Sequence, residues 1–336
     1  MDRDPSHVPV VVELDPMPDV LAALESVSDL PDVVLLESRI DREEVSRYSF
    51  LVADPVEFVD CVEPATGTDP FGQLKALLDP FRTGRVAGLP PFQGGVVGLL
   101  GYELGAAWEK VPRPPHDEFA LPALAAGVYD RVLAWDHVLG RAWIISQGFP
   151  ETDLGVRRQR AEQRAAELVS RLEAADRSVV AVAEPPPESL DPEQLAPLWP
   201  VDGHDGLFSD FSREAYLEAV RRVIEYIHAG DIFQANLSQR LLARQPAPAR
   251  ELYARLRQRN PAPFSGYMAH ADWEIVSASP ERFVSLRDGL VETRPIKGTR
   301  RRPGDPETRV LVQGELYESE KDQAENVMIV DLLRND

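Results

Sequence analysis

The spacing of apolar and polar residues predicts a chain that mixes strands and helices from its beginning. Residues 8–14, 33–38 and 48–53 are rich in β-branched and apolar side chains, which is typical of strands. Residues 22–27 have helical spacing instead. These four segments predict an α+β arrangement at the start of the chain.

The same reading predicts two helices and a hairpin in the next hundred residues. Residues 69–81 have the spacing of an amphipathic helix. Residues 125–135 and 141–146 alternate around the turn-forming segment 136–140, which indicates two strands of a hairpin. Residues 154–175 contain many Arg, Glu, Ala and Leu residues in i,i+4 charge pairs, as expected for a solvent-facing helix.

A glycine-rich segment, residues 90–103, lies between these elements. Its Gly94, Gly95, Gly98 and Gly101 have the spacing GGxxGxxG. It lacks the GK[ST] ending of a phosphate-binding loop and the acidic residue of a dinucleotide fold. We therefore predict a strand whose glycines allow another backbone to approach closely.

A proline-rich segment divides the chain. Six prolines lie between residues 185 and 200, with acidic residues among them, and this composition is typical of an extended linker. We predict an N-terminal domain of residues 1–180, a linker of residues 181–210, and a second domain that begins at residue 211 and contains the rest of the chain to residue 336.

The second domain is predicted to begin with a helix and a strand. Ser212 is placed to cap a helix that runs to Ala229, and Gly230 ends it. In residues 232–241 apolar side chains alternate with Gln234, Asn236, Ser238 and Arg240, so one face of the predicted strand is polar. That face either meets solvent or lines a ligand pocket. A further helix is predicted over residues 250–259.

A hairpin around Asp288-Gly289 brings two polar side chains close together. Counting outward from the turn, Arg287 pairs with Leu290, and Glu281 lies opposite Ile296, next to Lys297. Pro280 and Pro295 lack ladder donors, and a bulge there would turn the carboxyl of Glu281 and the amine of Lys297 to the same side. The alternatives are a surface ion pair and a shared pocket.

The last helix carries one carboxylate on an apolar stripe. Ser319 with Asp322 resembles a capping box, so the helix should begin at Glu320. Glu325 shares its stripe with Met328, Ile329 and Leu332. A carboxylate on such a face is usually neutralised by a lysine, a proton or a metal ion.

Composition narrows the classes of partner and compartment. The 336 residues carry a net charge of −20, which would repel phosphate backbones and favours a small ligand held by local positive groups. A single cysteine, Cys61, excludes an intrachain disulfide and fits a reducing cytoplasm. The N-terminus shows no secretory signal and no apolar run is long enough to cross a bilayer, so we expect a soluble cytoplasmic protein.

Four ordered blocks of sequence resemble those of the chorismate-utilising enzymes, the chorismate-binding enzyme family, and within it component I of aminodeoxychorismate synthases. The blocks are residues 230–240 (GDIFQANLSQR), 277–283 (SASPERF), 293–299 (TRPIKGT) and 319–336 (SEKDQAENVMIVDLLRND). The resemblance implies an α+β fold with a two-layer antiparallel β-sandwich core and helices packed outside. Because the chain ends inside the last block, we expect that it is C-terminally incomplete, with weak activity and an exposed apolar face.

The resemblance also implies roles for individual residues. Lys297 would attack ring carbon 2 of chorismate, Glu281 would protonate the departing 4-hydroxyl, and Glu325 would bind Mg²⁺. Gln234, Gly298 and Thr299 would contact the substrate. An aromatic amino-acid (tryptophan) pocket would be formed by Ser38, Val45, Ser46, Arg47, Tyr48, Pro263, Phe264 and Ser265, for which a plain strand end is the alternative.

The implied reaction replaces the 4-hydroxyl of chorismate with an amino group, which leads to 4-aminobenzoate and folate. Ammonia would come from a separate glutaminase subunit. Anthranilate synthases of the family have alanine where Lys297 stands, and isochorismate and salicylate synthases have lysine where Gln234 stands. The alternatives are therefore an anthranilate synthase component I and a non-catalytic amino-acid-binding fragment.

Overall fold

The computed structural model describes residues 7–38, 46–81, 83–175, 195–296, 305 and 319–335. The strands are β1 (Val10–Leu14), β2 (Val34–Glu37), β3 (Tyr48–Val52), β4 (Glu57–Cys61), β5 (Gly95–Leu100), β6 (Leu124–Tyr129), β7 (Arg131–Asp136), β8 (Arg141–Ser146), β9 (Trp199–Pro200), β10 (Leu207–Ser209), β11 (Leu241–Ala243), β12 (Phe264–His270), β13 (Trp273–Ser279), β14 (Ser285–Arg287) and β15 (Leu290–Glu292). The helices are α1 (Val20–Ser26), α2 (Pro70–Leu78), α3 (Leu154–Ala175), α4 (Arg213–Ala229), α5 (Ala249–Arg259) and α6 (Glu320–Asn335).

A seven-stranded antiparallel sheet forms the centre of the fold, in the order β1-β8-β7-β3-β2-β12-β13. Strand β12 pairs with β2 so that Gly266 lies opposite Leu36 and Met268 opposite Val34. The sheet therefore contains strands from both sides of the segment 181–210, since β12 and β13 follow that segment in the chain.

A three-stranded antiparallel sheet, β4-β6-β5, packs on one face of the large sheet. Side chains of both sheets meet in one apolar layer, in which Tyr129 of the small sheet joins Val34 and Ile145 of the large sheet. Strand side chains alternate between faces, so Leu133 and Trp135 point to the opposite side, where they pack with the helices α1, α3 and α5. The two-layer antiparallel core with outer helices is confirmed.

The predicted single strand over residues 125–135 is wrong in one respect, because it is divided at Asp130 between two sheets. Strand β6 ends at Tyr129 in the small sheet, and β7 begins at Arg131 in the large sheet. Asp130 is fully buried, and its Oδ1 accepts a hydrogen bond of 2.8 Å from Arg164. The chain changes sheets there, which the alternation of residue types does not reveal. The hairpin of β7 and β8 forms as expected.

The glycine-rich segment forms strand β5, at the edge of the small sheet. A Cβ atom on Gly98 would lie 2.2 Å from the carbonyl oxygen of Ala125, which no side chain could tolerate. Close backbone packing, as expected from the sequence, accounts for this glycine.

Helix boundaries agree with the capping residues read from the sequence. The Ser212 hydroxyl accepts the amide of Ala215 at 3.1 Å, and Gly230 ends α4 with a left-handed φ of 80°. The Ser319 hydroxyl accepts the amide of Asp322 at 3.3 Å, so α6 begins at Glu320. On α4 the apolar stripe is partly solvent-exposed, with Ile224 at 47%.

The strand predicted over residues 232–241 is largely absent from the described structure. Regular pairing begins only at β11, where Leu241, Leu242 and Ala243 meet the three residues of β10. A strand needs a hydrogen-bonding neighbour along its length, and β10 is too short to pair with residues 232–240. The expected alternation of faces therefore does not apply to this segment.

Candidate active site

The hairpin predicted around Asp288-Gly289 is present with the predicted register. Strands β14 and β15 pair Ser285 with Glu292, Leu286 with Val291, and Arg287 with Leu290. Asp288 and Gly289 have φ values of 51° and 83°, the left-handed conformations that a tight two-residue hairpin turn requires. The turn residues of the sequence thus fix how the two flanking segments meet.

Beyond the paired strands, side chains hold the hairpin segments together. Glu281 Oε1 accepts the amide of Ile296 at 3.1 Å, and the Thr293 hydroxyl donates to the Phe283 carbonyl at 2.7 Å. The Ser279 hydroxyl donates to the Glu281 carbonyl at 2.9 Å and accepts its amide at 3.3 Å. The Glu281 carboxylate therefore contacts the backbone of Ile296, the residue that precedes Lys297. Lys297, Gly298 and Thr299 themselves lie outside the described residues.

Three charged side chains of the hairpin segments, Arg282, Glu292 and Arg294, form a cluster. Arg282 Nη2 donates to Glu292 Oε1 at 2.8 Å, and Arg294 Nε forms an ion pair with the same oxygen of Glu292. The guanidinium carbon of Arg282 lies 5.7 Å from the centre of the Phe264 ring, within the range of a cation–π contact. Sequence analysis missed this cluster, although Arg282 directly follows Glu281.

Gln234 is exposed in the irregular segment that precedes β11. Its Nε2 lies 3.4 Å from the Asn236 side-chain oxygen. The same segment is attached to the N-terminal half through Arg240, which forms an ion pair with the nearly fully buried carboxylate of Glu118. Burial raises the pKa of Glu118, but backbone hydrogen bonds and Arg240 together lower it below its ordinary value.

Glu325 lies on α6, with the Lys321 ammonium 3.8 Å from its Oε1. Lys321 is therefore a lysine partner for the Glu325 carboxylate, at i,i+4 spacing, as the residues alone allow. The carboxylate is 38% exposed and its oxygens belong to the ligand class that Mg²⁺ prefers. Within the described parts of the chain, no three His, Cys, Asp or Glu side chains converge on one point. Metal binding by Glu325 stays a prediction.

The structure brings both ends of the expected amino-acid pocket together. The Ser38 hydroxyl donates to the Pro263 carbonyl at 2.7 Å. Continuing the registers of the sheet places Tyr48 opposite Ser38 on one side and Phe264 on the other. Val45 lies outside the described residues.

Polar contacts surround this point of the sheet. Ser49 is fully buried, accepts the Ser38 amide at 3.4 Å, and lies 2.7 Å from Nε2 of His137. Arg47 donates through Nε and Nη2 to the carboxylate of Asp136, at 3.0 and 2.8 Å to Oδ2. Burial opposes ionisation of Asp136, but the Arg47 hydrogen bonds and two backbone amides lower its pKa.

The remaining predicted pocket residues lie beside these contacts. Ser46 is buried, and the Ser265 hydroxyl donates to the Ala262 carbonyl at 3.2 Å. The Arg47 guanidinium lies 5.0 Å from the centre of the Tyr48 ring.

A buried ion pair beneath this region was also missed. Glu37 is 3% exposed and accepts two hydrogen bonds from Arg257, at 2.7 and 2.6 Å, and one from the Tyr253 hydroxyl at 2.9 Å. Burial lowers the pKa of Arg257, but its bonds to Glu37 raise it overall. The available signal was a carboxylate at the end of the apolar strand VLLE, which requires a partner when buried.

The fold is that of the chorismate-utilising enzymes. The sequence profile described as chorismate binding enzyme matches residues 32–336. The chain belongs to the chorismate-binding enzyme family.

Similar proteins include both aminodeoxychorismate synthase component 1 and anthranilate synthase component 1 chains. Aminodeoxychorismate synthase component 1 of Salmonella typhimurium is 35% identical over 98% of this chain and 68% of its own length. The protein of the same name from Escherichia coli is 33% identical over 92% of this chain and 64% of its own length. Anthranilate synthase component 1 of Thermus thermophilus is 35% identical over 94% of this chain and 65% of its own length. The chain thus spans about two thirds of the length of these relatives.

Solved structures agree on the fold. Anthranilate synthase component I from Streptococcus pneumoniae matches with a TM-score of 0.66 and 26% identity, over 86% of this chain and 61% of that one. The menaquinone-specific isochorismate synthase from Escherichia coli matches with a TM-score of 0.55 and 15% identity, over 98% and 64%. Of the helices in the described structure, none has the length and apolar character needed to span a membrane.

Proposed function

We propose that this protein is an aminodeoxychorismate synthase component I, which converts chorismate and ammonia to 4-amino-4-deoxychorismate. The observation that carries the proposal is Lys297 in the sequence Pro295-Ile296-Lys297-Gly298-Thr299, where anthranilate synthases have alanine. Gln234, at the position of the lysine of isochorismate and salicylate synthases, is a second support. Relatives of the proposed name at 33 to 35% identity favour the same reaction.

The proposed reaction consists of two successive displacements, in which Lys297 and Glu281 act first and ammonia second. The Lys297 amine forms a bond to ring carbon 2, both ring double bonds shift (C1=C2 to C1=C6 and C5=C6 to C4=C5), and the bond from carbon 4 to its hydroxyl breaks while Glu281 supplies the proton that makes water. Ammonia then forms the bond to carbon 4 and loses a proton, both double bonds shift back, and the bond from Lys297 to carbon 2 breaks. The hydrogen bond from the Ile296 amide to Glu281 supports these roles, because it keeps the acid next to the residue that precedes the nucleophile Lys297.

Lys297 must be neutral to attack. With an ordinary lysine pKa near 10.4, only about one molecule in a few thousand is neutral at pH 7, so its surroundings must lower that pKa. Gly298, Thr299 and Gln234 would contact the substrate beside it. Glu325 would hold Mg²⁺, which when bound neutralises a substrate carboxylate.

A second site is proposed where β2, β3 and β12 meet. Ser38, Arg47, Tyr48 and Pro263, with their neighbours in sequence, would bind an aromatic amino acid such as tryptophan. The Ser38–Pro263 hydrogen bond supports it, because it joins the two chain segments that the site requires. Calorimetric titration with L-tryptophan tests it, with Ser38→Ala as the comparison, and absence of binding to the unsubstituted protein would contradict it.

A glutaminase partner would supply the ammonia, and the product would lead to 4-aminobenzoate and folate in the cytoplasm. The printed name of the relatives, component 1, supports a partner chain. Co-purification with a glutaminase subunit and glutamine-dependent turnover test this part of the proposal.

Anthranilate synthesis is the second candidate, because anthranilate synthase component 1 of Thermus thermophilus is also 35% identical to this chain. The deciding experiment incubates the protein with chorismate, ammonium chloride and Mg²⁺ and identifies the product by chromatography and mass spectrometry. Formation of 4-amino-4-deoxychorismate is the expected result. Anthranilate as the main product would overturn the proposal in favour of the second candidate, and absence of either product would favour a binding role alone.

A further inference from the structure

Arg282 joins the hairpin to the large sheet. It donates to Glu292 across the hairpin at 2.8 Å, and its guanidinium lies 5.7 Å from the centre of the Phe264 ring in β12. Phe264 lies opposite Ser279 in the pairing of β12 with β13, and Ser279 bonds Glu281 through its hydroxyl. One side chain thus contacts both structural elements that flank Glu281.

The need for such a side chain follows from the backbone. The regular ladder of the hairpin stops at Ser285 and Glu292, and the prolines at 280 and 295 have no amide proton to extend it. Beyond the ladder the segments are held by the Glu281–Ile296, Arg282–Glu292 and Thr293–Phe283 bonds. Of these three, only the Arg282–Glu292 contact is an ion pair.

Burial and geometry set Arg282 apart from an ordinary surface arginine. Its side chain is 23% exposed, and its Nε is buried with no hydrogen-bond partner among the described residues. A planar guanidinium can stack on the Phe264 ring and donate to Glu292 at the same time, whereas the point charge of lysine replaces only the ionic contact.

We propose that Arg282 is a positioning residue that holds the Glu281 carboxylate against the backbone at Ile296, with Glu292 and Phe264 as its two anchors. The inference rests on the proposed function, in which Glu281 is the acid. Proton transfer from a positioned acid depends on distances at the ångström level, so a loosened hairpin lowers the rate of the chemical step more than substrate affinity.

The test compares Arg282→Lys and Arg282→Met with a control on the same hairpin, Arg287→Met, whose arginine is exposed beside the turn. For Arg282→Met we expect kcat for chorismate to fall about 10- to 100-fold, with KM changed less than about threefold. The kcat of Arg282→Lys should lie between those of Arg282→Met and the unsubstituted protein. The kcat of Glu292→Gln should resemble that of Arg282→Met. Arg287→Met should keep kcat within about twofold.

Hydrogen exchange at the Ile296 amide supplies a readout that does not depend on the product. The amide should exchange faster in Arg282→Met and Glu292→Gln than in the unsubstituted protein or in Arg287→Met, because its acceptor Glu281 is displaced. The positioning role would be overturned if the exchange rate of the Ile296 amide is unchanged in both variants, or if the variants raise KM and leave kcat unchanged. If the unsubstituted protein aminates no chorismate, the proposed function fails, while the exchange rates still decide the role of Arg282.

Discussion

The Ser38 hydroxyl donates a 2.7 Å hydrogen bond to the carbonyl of Pro263, a residue 225 positions further along the chain. We expect Ser38→Ala to lower the free energy of unfolding by about 1 kcal/mol, as measured by urea denaturation. Thr68→Ala is the matched control, because it removes a hydroxyl–carbonyl bond of equal length within an exposed local turn. An equal decrease in the free energy of unfolding for both variants would show that the long-range contact stabilises the fold no more than the local one does.

The Glu37–Arg257 ion pair gives a larger expected effect. Glu37→Gln leaves the buried guanidinium without a counter-charge, so the free energy of unfolding should fall by about 3–5 kcal/mol. Replacing both residues, as Glu37→Leu with Arg257→Leu, should cost less than either single change because no charge remains buried. Denaturant unfolding of Glu37→Leu, Arg257→Leu and the double variant measures this, and additive decreases in the free energy of unfolding would contradict it.

The Arg47–Asp136 contact predicts a pH dependence at acid pH. The folded protein lowers the pKa of Asp136 below its ordinary value, so the unfolded chain binds a proton on this group more readily. The resulting stabilisation is fully present above the ordinary aspartate pKa of about 3.9 and is lost as the pH falls through the lower folded value.

Asp136→Asn should therefore cost about 1–3 kcal/mol at pH 7 and remove this part of the acid dependence. Melting temperatures between pH 7 and pH 3 measure both effects. An unchanged slope in the variant would contradict the assignment, and Asp205→Asn, at an exposed turn, is the control.

Lys297→Ala tests the covalent step. We expect no adduct between protein and substrate in the variant and a loss of aminodeoxychorismate formation of at least about 100-fold, with any remaining product shifted toward anthranilate. Mass spectrometry of the trapped protein locates the adduct. An adduct on another residue, or undiminished turnover, would be incompatible with a nucleophilic Lys297.

The elements that sequence predicted well are those determined by neighbouring residues. The hairpin register follows from Asp288-Gly289, whose left-handed backbone only certain residues tolerate. Helix α4 follows from Ser212 and Gly230 at its ends. In each case the decisive interaction spans a few residues, so the sequence contains it locally.

Pairing between distant segments could not be read in this way. Nothing near Glu37 identifies Arg257 as its partner, and an apolar alternating run does not show that the chain changes sheets at Asp130. The strand expected over residues 232–241 was wrong for the same reason, because its formation depends on a neighbour elsewhere in the chain. Family resemblance supplied candidate residues such as Glu281, but not the Arg282–Glu292 contact beside it.

The position of β12 next to β2 has a consequence for biosynthesis. While the chain is being made, β2 can pair with β3, but its other edge stays open until β12 leaves the ribosome more than two hundred residues later. At a synthesis rate of roughly 5–20 residues per second this interval lasts about 10 to 45 seconds. An open strand edge attracts other strands, so we expect the nascent protein to be prone to association during that time. Slower growth at lower temperature with additional chaperone should raise the soluble yield.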